Sequence, residues 1–211
     1  MKNIHILFFA MFVLLLSENH AQECGSDVKQ LPALRGFALG MKEEDLRKIL
    51  PPTIGRSIPD DNGYGRIDLY MVPKTDGRYA SLGSEEGPRA VDTKKFPAFQ
   101  GADEMVLSLL DDSVFSVWLK YEATVKWKNG PEFVERFAQG MGIPNNFVGD
   151  PLQRPGAKPF VFRMQCLGSE FLLDTRDLER PVVKMWNPKI REIIEKRKVD
   201  ADVRKKKAFK P

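Results

Sequence analysis

Carboxylates are the residues whose type and spacing first suggest chemistry, because acids stand side by side in three predicted turns or loops. The pairs are Asp60 with Asp61, Glu85 with Glu86, and Asp111 with Asp112. A glycosidase needs two carboxyl groups that face each other across a cleft from separate segments. Neighbouring acids on a loop point apart or into water, and the sequence has neither a Gly-x-Ser-x-Gly motif nor a phosphate-binding loop. We therefore expect a non-enzymatic protein with no catalytic residue, and keep a carboxylate-dependent hydrolase as the last alternative.

Both histidines of the chain lie in an N-terminal segment that we expect to be removed. His5 and His20 both fall within residues 1–22, which combine a basic residue, an apolar run over residues 4–16 and a polar end. This pattern predicts a secretory signal peptide that is removed on export, and the run is short for a membrane span. The exported chain would contain no histidine, which excludes Ser-His-Asp and Cys-His catalysis and histidine metal sites. We expect no cofactor and no metal, in a protein of a bacterial periplasm or secreted from the cell.

Cys24 and Cys166 are the only cysteines of the chain. In the oxidising compartment that a signal peptide implies, a disulfide between them is favoured, with two free thiols as the alternative. The bridge would tie the N-terminus of the exported chain to a strand of the C-terminal half. It would contribute on the order of 4 kcal/mol to stability in the loop-entropy account.

Trp118 and Trp127 are the candidate residues for binding a partner. Both are predicted on extended segments whose polar neighbours are Lys120, Lys126 and Lys128. Two tryptophans on an otherwise polar sheet face would form a candidate hot spot, because aromatic side chains dominate the energetics of many interfaces. The alternative is that one or both tryptophans are buried under a helix.

The C-terminal segment, residues 188–211, carries the positive charge of the chain. It contains ten basic and four acidic residues, a net charge of +6, whereas the whole chain carries +4. Asn187 as a cap and Pro188 at the first helical position predict a helix here. Its Lys205, Lys206 and Lys207 could contact an acidic partner or an anionic envelope surface, and the alternative is a solvated helix end. Export argues against nucleic acid as a partner, as does the absence of aromatic residues between these lysines.

The secondary-structure elements that position these residues are predicted most clearly over residues 104–144. Alternating apolar residues predict strands at 105–110 and 114–121, joined by a tight turn at Asp111 and Asp112. Phe115 and Val117 are expected on the same face of the second strand. A further extended piece is predicted at 124–128, followed by a helix that begins near Pro131 and buries Phe133, Phe137 and Met141.

The opening of the predicted domain carries a resemblance to known families. The stretch LRGFALGMKEEDLRKILP, residues 34–51, predicts a turn and a short helix, with Met41 and Leu46 placed as a hydrophobic staple. It resembles the opening of a group of exported bacterial proteins, and of β-lactamase-inhibitor-protein-like and small outer-membrane-assembly-lipoprotein-like domains. Residues 96–144 resemble the strand, turn, strand, helix run of the same group. The resemblance implies a helical pair on one face of an antiparallel sheet and a function in binding proteins, and it carries over no functional residue. Lys42 departs from the pattern, since Ser or Thr usually caps at its position.

The remaining segments complete an α+β architecture. Alternation of apolar and polar residues predicts strands over residues 66–72, 160–166, 171–173 and 182–186. Residues 74–103 form a long connection that is either a binding loop or a mobile segment. A helix followed by three strands is predicted twice. We therefore expect one antiparallel sheet with short helices packed on one face, built as a tandem helix-β-β-β repeat, plus a basic C-terminal helix.

These predictions lead to one domain over residues 23–187, with halves at 34–129 and 130–187, and a basic helix or tail at 188–211. We expect the protein to bind a protein or cell-envelope partner through the outward sheet face, the long loop, or both. The alternative is a small-molecule or lipid carrier with a cavity between sheet and helices. No membrane span is expected.

Overall fold

The computed structural model describes residues 24, 28, 30–52, 54–71, 91, 95–123, 125–150 and 159–208. The predicted signal peptide and most of the 74–103 connection, with Glu85 and Glu86, lie outside these residues. The helices are α1 (Glu43–Ile49), α2 (Gly130–Met141) and α3 (Pro188–Ala208), with a 3₁₀ turn at Pro97–Phe99. The strands are β1 (Tyr64–Tyr70), β2 (Ala102–Leu110), β3 (Ser113–Tyr121), β4 (Val148–Gly149), β5 (Val161–Cys166), β6 (Ser169–Asp174) and β7 (Val182–Trp186).

All strands belong to one antiparallel sheet in the order β1-β2-β3-β7-β6-β5-β4. The predicted α+β fold is therefore confirmed. A helix followed by three long strands occurs twice, as α1 with β1 to β3 and as α2 with β5 to β7, and the two-residue β4 adds an edge. The last strands of the two sets, β3 and β7, pair in the middle of the sheet. The division of the domain into two halves stays a prediction.

The core lies on one face of the sheet. α1 contributes Leu46 and α2 contributes Phe133 and Phe137 to the same buried cluster as the inward residues of the strands. The loop before α1 adds Leu34 and Phe37, which are almost fully buried. Such short helices are marginal alone, so burial of their apolar stripes against the sheet is what stabilises them.

The β2–β3 hairpin turns where the sequence predicts. Asp111 and Asp112 have φ of 49° and 60°, the left-handed conformation that a two-residue hairpin turn requires and that Asp tolerates. The face assignment of Phe115 was wrong, however. Leu109 pairs with Val114 and Ser108 pairs with Ser116, so a bulge leaves Phe115 without a partner. Val114 is buried in its place.

Phe115 is only partly buried, and its ring lies 6.0 Å from that of Tyr64, which alternates away from the core on β1. The bulge thus moves one large aromatic side chain out of the predicted core face.

Both ends of α2 are capped by residues that favour the start or the end of a helix. The Asn129 side chain accepts a hydrogen bond from the Glu132 amide at 2.9 Å, and the Glu132 carboxylate accepts one from the Lys128 amide at 2.7 Å. These reciprocal bonds form a capping box. Gly142 closes the helix with φ of 65°.

α1 lacks such a cap, as the lysine at position 42 led us to expect. Its Glu43 carboxylate instead accepts bonds from Arg47 at 2.5 Å and from the Ser57 hydroxyl at 3.0 Å. Arg47 also donates to the Ile54 and Gly55 carbonyl oxygens. The charged helix is thereby fastened to the segment that follows it.

α3 leaves the sheet after β7 and is held at the β2–β3 hairpin. Arg197 donates two hydrogen bonds to the Asp111 carboxylate, at 2.8 and 2.7 Å, and one to the Asn62 carbonyl oxygen at 2.8 Å. Ile194 is buried, whereas Ile193, Val199 and Val203 are exposed. In the ranges that the structure describes, no helix combines the length and apolar character needed to cross a membrane.

Candidate binding face

The side of the sheet opposite α1 and α2 carries partly exposed side chains and two of the three tryptophans. On β6 and β7, buried residues that belong to the same core as α1 and α2 alternate strictly with partly buried residues that face the other way. We call the second set, with its neighbours on β2 and β3, the outer face. Its central members form two rows across β2, β3, β7 and β6, namely Val106, Trp118, Lys184 and Leu172, and Ser108, Ser116, Trp186 and Glu170.

Lys184 lies between two tryptophans of the outer face. Trp118 on β3 is directly opposite Lys184 on β7, and Trp186 follows Lys184 by two residues on the same face. The Lys184 Nζ atom lies 4.9 Å from the centroid of the Trp186 ring, a cation–π contact. Diagonal neighbours on adjacent strands are roughly 7–8 Å apart. Trp118, Lys184 and Trp186 therefore form one continuous group, which we call the Trp–Lys–Trp patch.

The ammonium of Lys184 forms no ion pair among the described residues, although the Glu170 carboxylate lies close enough to favour its charged form. Partial burial lowers the pKa of Lys184, and the nearby cations Arg191 and Arg163 lower it further. A desolvated ammonium beside indole rings is a site that an incoming carboxylate would stabilise.

Two cations near the Trp–Lys–Trp patch, Arg66 and Arg163, are, in contrast, already paired. Arg66 contacts Asp68 at 2.7 Å on β1, and Arg163 contacts Glu170 at 2.9 Å between β5 and β6. These pairs give the patch a polar border. A mixed polar border around partly exposed aromatic residues is typical of protein interfaces.

Trp127 does not belong to the outer face, and its predicted place on an extended segment was wrong. The described residues of 125–129 form a loop, because the Lys128 amide is engaged by Glu132 of the α2 cap and is not available for a strand ladder. The Trp127 ring packs edge-on against Phe133 at 5.2 Å between centroids. Trp127 therefore supports α2 on the core side, which is the alternative that the sequence left open for one tryptophan.

Sequence reasoning missed Trp186 as a partner of Trp118. The signal was present, since the alternation of β7 buries Val183 and Met185 and places Trp186 on the opposite side. What the sequence does not show is that β7 pairs with β3, from which it is separated by more than sixty residues. Only this pairing brings the two indoles together.

A second cluster of charges lies on β2 and β3, where a bulge at Asp103 interrupts their pairing. The Asp103 side chain is almost fully buried, with its Oδ2 atom 3.6 Å from Lys120 Nζ and 3.9 Å from the Arg180 guanidinium. Burial raises the pKa of the neighbouring Glu104, and the carboxylates of Asp103 and Asp68 raise it further against the effect of Lys120. This cluster gives one end of the outer face a charge that depends on pH.

Two of the acids that the sequence singled out, Asp60 and Asp111, have structural partners. Asp111 is bound by Arg197, whose hydrogen bonds hold the pKa of Asp111 below its usual value. Asp60 accepts hydrogen bonds from the Tyr64 and Asn62 amides, which lower its pKa and close the turn before β1. Within the described ranges, no three His, Cys, Asp or Glu side chains gather closely enough to hold a metal ion.

The predicted disulfide is confirmed, since Cys24 and Cys166 are bonded with their Cα atoms 4.8 Å apart. The Cys24 amide also donates to the Gln165 carbonyl oxygen at 3.0 Å. Lys205, Lys206 and Lys207 lie exposed on the last turn of α3. Their role as an interaction site stays a prediction.

Comparison with known protein families, with curated proteins and with solved structures finds no match for this chain.

Proposed function

We propose that this chain is a non-enzymatic exported protein that binds a partner protein through the outer face of its sheet. The observation that carries the proposal is the Trp–Lys–Trp patch, in which the Lys184 ammonium, without an ion pair among the described residues, lies over the Trp186 ring and its residue is opposite Trp118 on the neighbouring strand. The disulfide is compatible with an oxidising, exported setting.

The composition of the patch suits a protein interface more than a solvated surface. Tryptophan is enriched among the residues whose truncation weakens interfaces by about 2 kcal/mol or more. Such residues lie near the centre of the buried area, within a rim of weaker polar contacts. Trp118 and Trp186 are central in the sheet, and the Arg66–Asp68 and Arg163–Glu170 pairs supply the rim.

The charge of the patch indicates the kind of residue that the partner presents. The Lys184 ammonium would donate hydrogen bonds to a carboxylate, while the two indoles would cover apolar or aromatic side chains around it. We therefore expect an Asp or Glu of the partner to lie against Lys184, flanked by apolar residues. Reversal of the charge by Lys184→Glu should abolish binding through repulsion.

Site-specific photo-crosslinking tests this function. A photoreactive amino acid at Leu172, beside Lys184 on the outer face, should yield one discrete covalent adduct when the protein is exported by its own host. The same amino acid at Val125, which is exposed in the loop before α2, is the matched control and should yield none. Equal adducts at both positions, or an adduct at Leu172 that persists in the Lys184→Glu variant, would contradict the proposal.

A small-molecule carrier is the alternative, and one observation favours it. A cavity of about 400 Å³ opens at the hairpin end of the sheet, where its lining residues Phe115 and Asn187 adjoin the paired Ser116 and Trp186. The two functions use different residues and can be tested separately.

A further inference from the structure

The second half of α3 extends beyond the contact that holds the helix at the β2–β3 hairpin. That contact is made by Arg197, which donates to the Asp111 carboxylate and to the Asn62 carbonyl oxygen. Among the described residues, no hydrogen bond or ion pair joins residues 199–207 to the sheet or to the other helices. Because an α-helix rises 1.5 Å per residue, Lys207 lies about 15 Å beyond Arg197 along the helix axis.

This extension is a helix in solvent. Over residues 198–207 every side chain is exposed except that of Ala201, which is partly buried, and even Val199 and Val203 are 60% and 44% exposed. A helix this short is marginal alone, but the first half of α3, with Ile194 buried, supplies the nucleus from which it propagates. Packing against the sheet therefore does not explain the sequence of the extension.

Four consecutive cations occupy about one turn at the end of the extension. We call this group the basic tip, and its members are Arg204, Lys205, Lys206 and Lys207. None of the four forms an ion pair with a described residue. The helix dipole favours cations at this end, but it is equivalent to only about half a negative charge and offsets a small part of four positive ones. The remaining charge is available to a partner.

The basic tip holds its charge away from the rest of the chain, which has the opposite sign. Residues 188–211 carry +6 and the whole chain carries +4, so residues 1–187 carry −2. At physiological ionic strength charges are screened over about 8 Å. This is shorter than the distance of about 15 Å from the anchor at Arg197 to the end of the tip. The acids of the sheet and its hairpins therefore do not offset the tip.

The arrangement of the basic tip suits a diffuse anionic surface more than a groove in a protein. With 3.6 residues per turn, four consecutive cations surround the helix axis and do not line one face. Lysine is depleted at the cores of protein interfaces, where aromatic residues are enriched, and the tip contains no aromatic residue. A lysine ammonium is a hydrated point charge on a flexible stem. Clusters of such charges are attracted to the surface of anionic lipids.

We propose that the basic tip of α3 docks the protein on an anionic phospholipid surface, with the extension as a spacer between that surface and the sheet. The docking is peripheral, because the four side chains of the tip are charged and have no apolar end to insert. The tip shares no residue with the Trp–Lys–Trp patch. The proposal therefore does not rest on the proposed function.

Sedimentation with sucrose-loaded vesicles tests this docking, using the full chain without the predicted signal peptide and with its disulfide intact. Vesicles of phosphatidylglycerol and phosphatidylcholine in equal parts should bind the protein at least tenfold more tightly than vesicles of phosphatidylcholine alone. Binding should weaken as NaCl is added, because salt screens the attraction. Equal binding to both vesicles would overturn the proposal. So would no binding to either at low salt, and an adduct with an acidic protein from a photoreactive amino acid at Lys206 would then identify the other kind of partner.

Two triple variants that lose the same charge separate the basic tip from the net charge of the chain. Lys205→Gln, Lys206→Gln and Lys207→Gln together keep good helix formers at the tip and should weaken binding to the anionic vesicles at least tenfold. The control variant replaces with Gln three cations that are exposed outside α3, namely Arg56, Lys126 and Lys128. It should bind like the unmodified chain. Unchanged binding in the tip variant, or an equal loss in both variants, would refute the assignment to the tip.

Thermal unfolding and a variant of the outer face complete the test. Both triple variants should keep the Tm of the unmodified chain, because none of the replaced side chains is buried. The Trp118→Ala variant should bind the anionic vesicles like the unmodified chain. Loss of vesicle binding in Trp118→Ala, with Tm unchanged, would place the lipid contact on the outer face and contradict the proposal.

Discussion

At position 184 the chain keeps a partly buried positive charge over the Trp186 ring, where burial and neighbouring cations both oppose it. An apolar side chain of the same length would stabilise the fold equally well, because a partly desolvated ammonium without an ion pair among the described residues contributes little to stability. A partner carboxylate would reverse this balance. The Lys184→Met variant should therefore keep its stability within about 0.5 kcal/mol while it loses partner binding.

Glu104 provides a residue-scale prediction with a definite pH dependence. Its pKa is raised in the folded protein, first by burial, so the ionised form destabilises the fold above the unfolded value of 4.5. The Glu104→Gln variant should have a higher Tm than the unmodified chain at pH 7. Well below pH 4.5 the Glu104 carboxyl is neutral in both the folded and the unfolded chain, and the difference should disappear. Thermal unfolding across pH 3.5–7 measures it, and a difference that is constant with pH would show that ionisation is not the cause.

The tryptophans show how far single residues could be read from the sequence. The alternation of apolar and polar residues correctly predicted a strand at Trp118. The same two-residue period over residues 124–128 predicted a strand at Trp127, and that strand does not form. The capping box at Asn129 and Glu132 takes the Lys128 amide and starts a helix there. Local hydrogen bonds between side chains and the backbone compete with strand pairing. The spacing of apolar residues does not reveal them.

At the scale of single elements, α2 is the helix whose ends are best specified. The Asn129→Ala variant removes the side chain that accepts from the Glu132 amide. We expect a loss of about 1 kcal/mol, which lowers Tm by roughly 2–4 °C in a domain of this size. Asn145→Ala, an exposed position in the loop after α2, is the control and should not change Tm. Equal Tm values for both variants would show that the cap contributes nothing.

Some features of the β2–β3 hairpin were predictable from the sequence and others were not. The Asp111–Asp112 turn was predictable because Asp tolerates the left-handed conformation that the turn requires. The bulges at Asp103 and Phe115 were not, because each depends on which residue of the opposite strand finds a partner. Phe115 lines the cavity at the hairpin end of the sheet, so this part of the structure was not predictable from the sequence.

At the scale of the whole molecule, the alternation in β2, β3, β5 and β7, together with the family resemblance, was sufficient to predict an antiparallel α+β fold. The strand order was not predictable, since the β3–β7 pairing joins segments far apart in the chain. Residue-level similarity between the two halves is too slight to reveal that their last strands meet. The Trp–Lys–Trp patch exists only because of that long-range contact.

The disulfide offers a prediction for the whole fold. It closes a loop with a sequence separation of 142 residues, for which the expected stabilisation is about 2–5 kcal/mol. The double variant Cys24→Ser, Cys166→Ser should unfold at correspondingly lower urea concentration. A reducing agent should shift the unmodified chain to the same midpoint and leave the variant unchanged. Coincident midpoints without reducing agent would show that the bridge does not stabilise the fold.

The affinity of outer-face variants for the crosslinked partner is the most direct test of the central claim. With that partner purified, Trp118→Ala and Trp186→Ala should each raise the dissociation constant about thirtyfold, the equivalent of roughly 2 kcal/mol. Val125→Ala, exposed outside the outer face, should leave it unchanged. Dissociation constants within twofold of the unmodified protein for both tryptophan variants, with the fold intact, would contradict the assignment of the Trp–Lys–Trp patch as the binding site.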